Sequence, residues 1–233
     1  MKIAVFAYNF PHTKTQDFLV RLFLEGYQVE FVVACEPIEL NLPQSILRVK
    51  PNHIDLVHPE LICQRLGIPY YVLPHNDPEV ANLVRVNHID IGVIAAARIL
   101  KKPIIRSFGK GVINFHPGLI PEVRGLESLK WAIYRDCPIG VTAHFIDERV
   151  DAGRVILKEE IPIYADDTLI DMSIRLAETQ VNLLGKVLRL VEGKELTDFP
   201  LVPYDLKSNP PMPNELEKEI AGKWTNRLGR CKC

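Results

Sequence analysis

The sequence predicts an α/β fold: a Rossmann-like, doubly wound, mostly parallel sheet with a short carboxyl-terminal appendage. Three observations lead there. Short apolar runs alternate with amphipathic segments over the first two-thirds of the chain, the rhythm of strands joined by crossover helices. Turn and cap residues such as Gly26 and Asp77-Pro78 fall between those runs. With 233 residues, 47% hydrophobic and 24% charged, the chain can bury an ordinary core.

Taken in order, residues 2–8 (KIAVFAY) read as the first strand. Residues 13–27 follow as a helix, with Phe18, Leu19, Leu22 and Phe23 at helical spacing, Thr13 or Thr15 able to cap and Gly26 near the stop. Residues 29–36 are the second strand, 56–68 carry a short helix and 69–74 the third strand. Asp77 and Pro78 open a helix over 77–87. Strands are expected at 89–97 and 111–118, a helix at 125–136, and further strands at 140–147 and 154–163. From 168 to 193 apolar residues recur every three or four positions, which predicts a long helix lying on the sheet. The composition changes near Lys194, so residues 1–194 are expected as one domain. Residues 195–233, rich in proline and charge, are expected as an appendage or partner contact with a short helix near 214–224.

The formal charge of −1 comes from 28 basic and 29 acidic residues that are interspersed. That leaves no electrostatic footprint for nucleic acid or an anionic membrane and points to a small polar substrate. Neither a cleavage-site pattern nor an apolar run of about 18 residues is found, so the expectation is a soluble, cytoplasmic protein. Cys35, Cys63 and Cys137 stand singly in apolar surroundings and are expected as reduced thiols. The terminal Cys231-x-Cys233 is too closely spaced for the usual zinc pairs and reads as a flexible tail.

Chemistry concentrates in two stretches. In GVINFHPG, residues 111–118, side chains two apart share a face, so Asn114 and His116 stand together while Phe115 points into the core. Such a strand end opens on the crevice where doubly wound sheets bind ligands. In GVTAHFIDERVDAGRVI, a strand ends in a loop bearing Asp147, Glu148 and Asp151 before Gly153 turns the chain back. The conjunction would bring an amide, an imidazole and a carboxylate together.

INFHPGLIPEVRGLESLKWAI followed by GVTAHFIDERVDAGRVI resembles the N10-formyltetrahydrofolate-dependent formyltransferase family. That family includes glycinamide-ribonucleotide, methionyl-tRNA and sugar-nucleotide formyltransferases. The likeness covers roughly residues 89–165 and carries Asn-x-His-Pro, Leu-x-Pro, Arg-Gly, Gly-Val-Thr and Asp-x-Gly in order. It implies that residues 1–194 form the catalytic domain, that Asn114, His116 and Asp151 are catalytic, and that formyl-folate is the cosubstrate without a metal. The pterin pocket would be formed by Ala97, Arg98, Ile99 and Leu100 with the loop of Ile146, Asp147 and Val150. Gly118 departs from the pattern, since many members carry serine there. The chemistry wants these groups: formyl transfer passes through a tetrahedral intermediate whose oxygen turns negative, and donors must be waiting for it.

The acceptor is narrowed by elimination. The loop after the first strand, AYNFPHTKTQ, lacks the glycines with which glycinamide-ribonucleotide members cradle phosphate. Methionyl-tRNA members carry a further basic carboxyl-terminal domain, whereas only some forty residues follow the long helix here. The resemblance thus favours sugar-nucleotide N-formyltransferases, with Tyr8, Asn9, Phe10, His75 and Asn76 as candidate acceptor contacts, no nucleic acid or membrane partner, and a homodimer built through the tail. The competing readings are another small amine as acceptor, hydrolysis of formyl-folate, and a folate- or nucleotide-binding regulator without turnover. A nicotinamide enzyme is opposed by the missing G-x-G-x-x-G. A metal site would need His116 and His144 to converge, and strand alternation does not require His144 to face that way.

Overall fold

The computed structural model describes residues 1–39, 44–149, 151–202 and 207–230. Its frame is a seven-stranded sheet in the order β3-β2-β1-β4-β5-β6-β7. The strands are β1 Ile3–Tyr8, β2 Val29–Cys35, β3 Tyr70–Val72, β4 Ile91–Ile94, β5 Gly111–His116, β6 Gly140–Phe145 and β7 Arg154–Glu160. The five from β3 to β5 run parallel. β6 pairs antiparallel with β5, and β7 antiparallel with β6. The expected α/β, doubly wound, mostly parallel sheet is what the chain forms. Strand order reverses between β1 and β4, the switch point above which such sheets open a crevice.

The helices are α1 Thr13–Leu24, α2 Pro59–Leu66, α3 Pro78–Val86, α4 Lys102–Ile105, α5 Ser128–Tyr134, α6 Leu169–Val191, α7 Asn214–Glu217 and α8 Ile220–Leu228. β1 shows why central strands read as unbroken apolar runs, since both faces are covered. Ile3, Val5 and Ala7 enter the larger core with Phe18 and Leu22 of α1, Leu183 and Val187 of α6 and Trp224 of α8. Ala4 and Phe6 enter a second core with Val80 and Val84 of α3 and Ile104 of α4. On β5, Ile113 and Phe115 belong to the larger core and Val112 to the second. Phe115 is fully buried, its ring edge-on to Phe18 at 5.3 Å, as alternation requires.

Two local expectations change, and one short helix was not expected. Neither threonine caps α1: the N-cap position is His12, whose side chain makes no capping bond and pairs through Nδ1 with Thr15 Oγ1 at 3.0 Å. β4 stops at Ile94, short of the expected residue 97, because the N–H groups of Ala95 and Ala96 both turn to the Phe6 carbonyl. Helix α4 has four residues, a single turn in which no periodicity can register.

Beyond α6 the chain returns to the site region. Leu201 bridges Arg154 in antiparallel fashion and Asn209 bridges Gly125 in parallel fashion. Trp224 is buried, and its Nε1–H donates to the Asp167 carbonyl at 2.9 Å. Among the described residues no helix is long and apolar enough to cross a membrane. Cys35, Cys63 and Cys137 are free thiols, while Cys231 and Cys233 lie outside the described residues.

Candidate active site

Strand β5 delivers Asn114 and His116 to one side of its carboxyl end, and the β6–β7 loop delivers Asp151 to meet them. The His116 Nδ1 lies 3.3 Å from Asp151 Oδ1, and Asn114 Nδ2 donates to the same oxygen at 3.4 Å. Asp151 Oδ2 accepts the Gly125 N–H at 2.8 Å. The loop can make this approach because Asp151 itself sits at φ 43° and Gly153 at φ 109°. A Cβ on Gly153 would lie 2.0 Å from the Phe145 carbonyl oxygen, so only glycine fits.

The network assigns the protons. His116 is 4% exposed, and its Nε2 lies 2.7 Å from the Val123 carbonyl and 3.2 Å from Ser128 Oγ. One ring nitrogen thus faces a carbonyl and the other a carboxylate, the setting of an imidazolium. His144 stands directly across the sheet from Asn114. Its Nδ1 faces the Ala152 carbonyl at 2.9 Å, so that nitrogen carries the hydrogen and Nε2 accepts from Asn114 Nδ2 at 3.3 Å. A flipped Asn114 amide would aim its oxygen at two acceptors, which fixes the amide orientation. Burial draws His144 down to about 4, keeping it neutral. Burial would raise the Asp151 carboxyl, but the His116 charge and hydrogen bond, with His144 and the Gly125 N–H, hold it at about 2.

A lysine completes the edge. Lys14, near the start of α1, donates from Nζ to the Phe115 carbonyl at 3.0 Å, between the two site residues of β5. Burial lowers its ammonium to about 7, against the pull of Asp151.

The motif and the geometry now meet the comparisons: residues 73–188, the span that holds Asn114, His116 and Asp151, match the family model described as Formyl transferase. The chain belongs to the formyl transferase family. It is similar to the methionyl-tRNA formyltransferase of Chlorobium chlorochromatii (strain CaD3), with 31% identity over 126 residues, 54% of this chain and 40% of that protein. The match thus spans less than half of that relative's length. Among solved structures it resembles phosphoribosylglycinamide formyltransferase from Streptococcus pneumoniae TIGR4, with TM-score 0.60, 24% identity and coverage of 82% of this chain and 98% of the other. It also resembles a sugar N-formyltransferase from Shewanella sp FDAARGOS_354, with TM-score 0.58, 21% identity and coverage of 90% and 75%. The two structural likenesses establish the shared fold.

In this formyl transferase family member the segments expected to hold the pterin lie side by side. Ala97 and Ile146 both pack on the second core, and Lys102 pairs with Glu148 at 2.7 Å across the two loops. Leu100 is buried and Ile99 exposed. Among the described residues Arg98 Nε is a buried donor with no acceptor, although Nη2 donates to the Ile38 carbonyl at 3.1 Å. Asp147 Oδ1 accepts from the Arg149 N–H at 2.9 Å. Val150 lies outside the described residues.

The candidate acceptor contacts divide. Phe10 stacks on Tyr8 with centroids 5.2 Å apart, and Tyr8 donates its hydroxyl to the Ala97 carbonyl at 3.2 Å. Asn9 binds Glu36 through Nδ2 at 2.9 Å and accepts from Tyr70 at 2.8 Å. His75 and Asn76 are engaged by backbone. His75 Nε2 meets the Ala7 carbonyl at 2.8 Å, and its Nδ1 accepts the Arg98 N–H at 3.1 Å. Asn76 donates to the Ile99 carbonyl at 2.9 Å and accepts from Lys101 N–H at 2.7 Å. These two residues shape the 97–101 loop, and binding a ligand through those atoms would cost these bonds.

Sequence reasoning missed His144 as a member of the site, placing it only in a metal alternative. It faces the trio because β6 is antiparallel to β5 and in register, which alternation alone does not reveal. Lys14 was missed too, its only signal being its place in the helix after the first strand. Among the described residues no group of three or more His, Cys, Asp or Glu could hold a metal ion.

Proposed function

We propose that this protein transfers the formyl group of N10-formyltetrahydrofolate to the primary amine of a nucleotide-linked amino sugar. The observation that carries the transfer is the convergence of Asn114, His116 and Asp151 within hydrogen-bond reach at the end of one strand. The amine nitrogen bonds to the formyl carbon and the carbonyl oxygen takes the negative charge; as the carbonyl re-forms, the carbon–nitrogen bond to folate breaks and the folate nitrogen takes up the proton that the amine gave up. Asn114 holds its two N–H hydrogens on contacts of 3.3 and 3.4 Å, long enough for a charged oxygen to displace them. The buried imidazolium of His116 supplies positive charge where that oxygen develops. Asp151, held at about 2, is too acidic to keep a proton, so its part is to fix the ring and its charge. Lys14 titrates at about 7, the range suited to taking the proton the amine must lose.

For the cosubstrate, the buried Arg98 Nε and the apolar Ala97 and Ile146, both packed on the second core, provide a donor and a packing surface for the folate head. For the acceptor, the glycine-free loop after β1 presents stacked Tyr8 and Phe10, a surface on which a base or sugar ring can lie. The test is incubation with formyl-folate and a panel of amino-sugar nucleotides, following product mass. A gain of one formyl group on an amino-sugar nucleotide is expected. Formylation of a ribonucleotide amine would overturn the acceptor, and release of free formate without a formylated amine would overturn the transfer.

A further inference from the structure

The residues after α6 have no part in the chemistry above, yet they bond to the two segments that flank Asp151 and its Gly125 donor. On one side the Val202 N–H donates to the Gly153 carbonyl at 2.8 Å and the Val155 N–H to the Pro200 carbonyl at 2.9 Å. Arg154 Nη1 adds a bond to the Phe199 carbonyl at 2.6 Å. These bonds hold the turn that carries Asp151, whose φ of 43° is a left-handed conformation that must be imposed by its surroundings.

On the other side Asn209 lies along the loop that touches both ionised groups. Its N–H donates to the Arg124 carbonyl at 2.7 Å, and its carbonyl accepts the Leu126 N–H at 3.1 Å. The approach is so close that a Cβ on Gly125 would lie 2.3 Å from the Asn209 carbonyl oxygen. Gly125 in turn gives its N–H to Asp151, while Val123 of the same loop and Ser128 at the start of α5 meet His116 Nε2. Arg135 locks this arm: Nη2 donates to Asn209 Oδ1 at 2.7 Å and Nη1 to the Glu122 carbonyl at 3.0 Å. Trp131 Nε1–H adds a bond to the Pro210 carbonyl at 2.9 Å.

We propose that residues 199–202 and 209–212 form a two-point clamp that sets Asp151 against His116, which makes Asn209 and Arg135 positioning residues. The kinetic half of this inference rests on the function proposed above. The structural half does not.

The experiment compares Asn209→Ala, Arg135→Ala and Arg135→Lys in the full chain, below the unfolding transition of each. The carbon NMR shift of the Asp151 carboxyl is followed against pH without substrate, and kcat and KM are measured in the transfer assay. With the clamp loosened, the Asp151 midpoint is expected to rise by about one pH unit. The kcat is expected to fall about tenfold to a hundredfold with little change in KM. Arg135→Lys, which keeps a donor, should recover part of both. A tail that merely adds stability would lower the unfolding temperature and leave the midpoint and kcat of the folded variants at their original values, and that result overturns the clamp. If Asn209→Ala does not fold, Arg135→Ala at the exposed end of the contact decides it. A midpoint that moves in a chain unable to transfer formyl supports the clamp and overturns the proposed function instead.

Discussion

Asn114 has a carbonyl and two N–H hydrogens, and its neighbours determine which end it turns toward His144 and Asp151. Because His144 is neutral with its hydrogen on Nδ1, the amide presents hydrogens, the end that the proposed transfer needs for its oxyanion. Asn114→Ala is expected to lower kcat by a hundredfold or more, about 2.7–4 kcal/mol of transition-state stabilisation, read from steady-state kinetics. Gly118 matters for the opposite reason, the absence of a side chain. A Cβ there would lie 2.6 Å from the Val123 carbonyl oxygen and 2.8 Å from His116 Nε2, so the glycine is what lets that carbonyl seat the ring. Gly118→Ser should displace one or the other and cost about tenfold or more in kcat, with the folded state intact by circular dichroism. Lys14→Met tests the proton acceptor: the limb of the kcat profile near pH 7 should disappear, while a profile that keeps its shape would remove Lys14 from the reaction.

Among the elements, α6 was the most legible, since 23 residues repeat the apolar spacing over six turns and bury Met172, Leu176, Leu183, Leu184, Val187, Leu188 and Val191. Its start is a capping box between Thr168 and Asp171, with the Asp171 N–H donating to Thr168 Oγ1 at 3.2 Å. Thr168→Ala is expected to cost about 1 kcal/mol, measured by chemical denaturation, without altering the site. Strand β6 shows the limit of periodicity. Alternation placed GVTAHF correctly as a strand, but a pattern of period two reads the same in both directions and cannot tell parallel from antiparallel. Direction decided that His144 would lie opposite Asn114, and so whether the site has three polar members or four.

For the whole molecule, the buried histidines make stability depend on mild acid. In the unfolded chain His144 takes a proton near 6.5, but in the folded protein burial delays this to about 4. Between those values the unfolded state binds more protons, so stability is full above about 6.5 and falls as pH drops through the window, by about 3 kcal/mol for this one group. His12, drawn down to about 4 mainly by burial, acts with the same sign. Denaturant midpoints measured from pH 7.5 to pH 4 should therefore decline. His144→Gln should flatten the decline, because the imidazole that takes up a proton on unfolding is then gone. A midpoint unchanged across that range would contradict the buried, neutral His144.

By itself the sequence determined the class of fold, the faces of its strands and the identity of the Asn-x-His strand end, because all three are written in local spacing. The family likeness rested on the same local text. Only the tertiary structure decided the antiparallel turn of β6, the reach of Lys14 to the Phe115 carbonyl, the engagement of His75 and Asn76 by backbone, and the return of Asn209 to Gly125. The reason is physical. Spacing along the chain records which side chains share a face, whereas hydrogen bonds and charges act between groups as far apart in the chain as Arg189 and Glu25, and their partners are chosen only when the core closes.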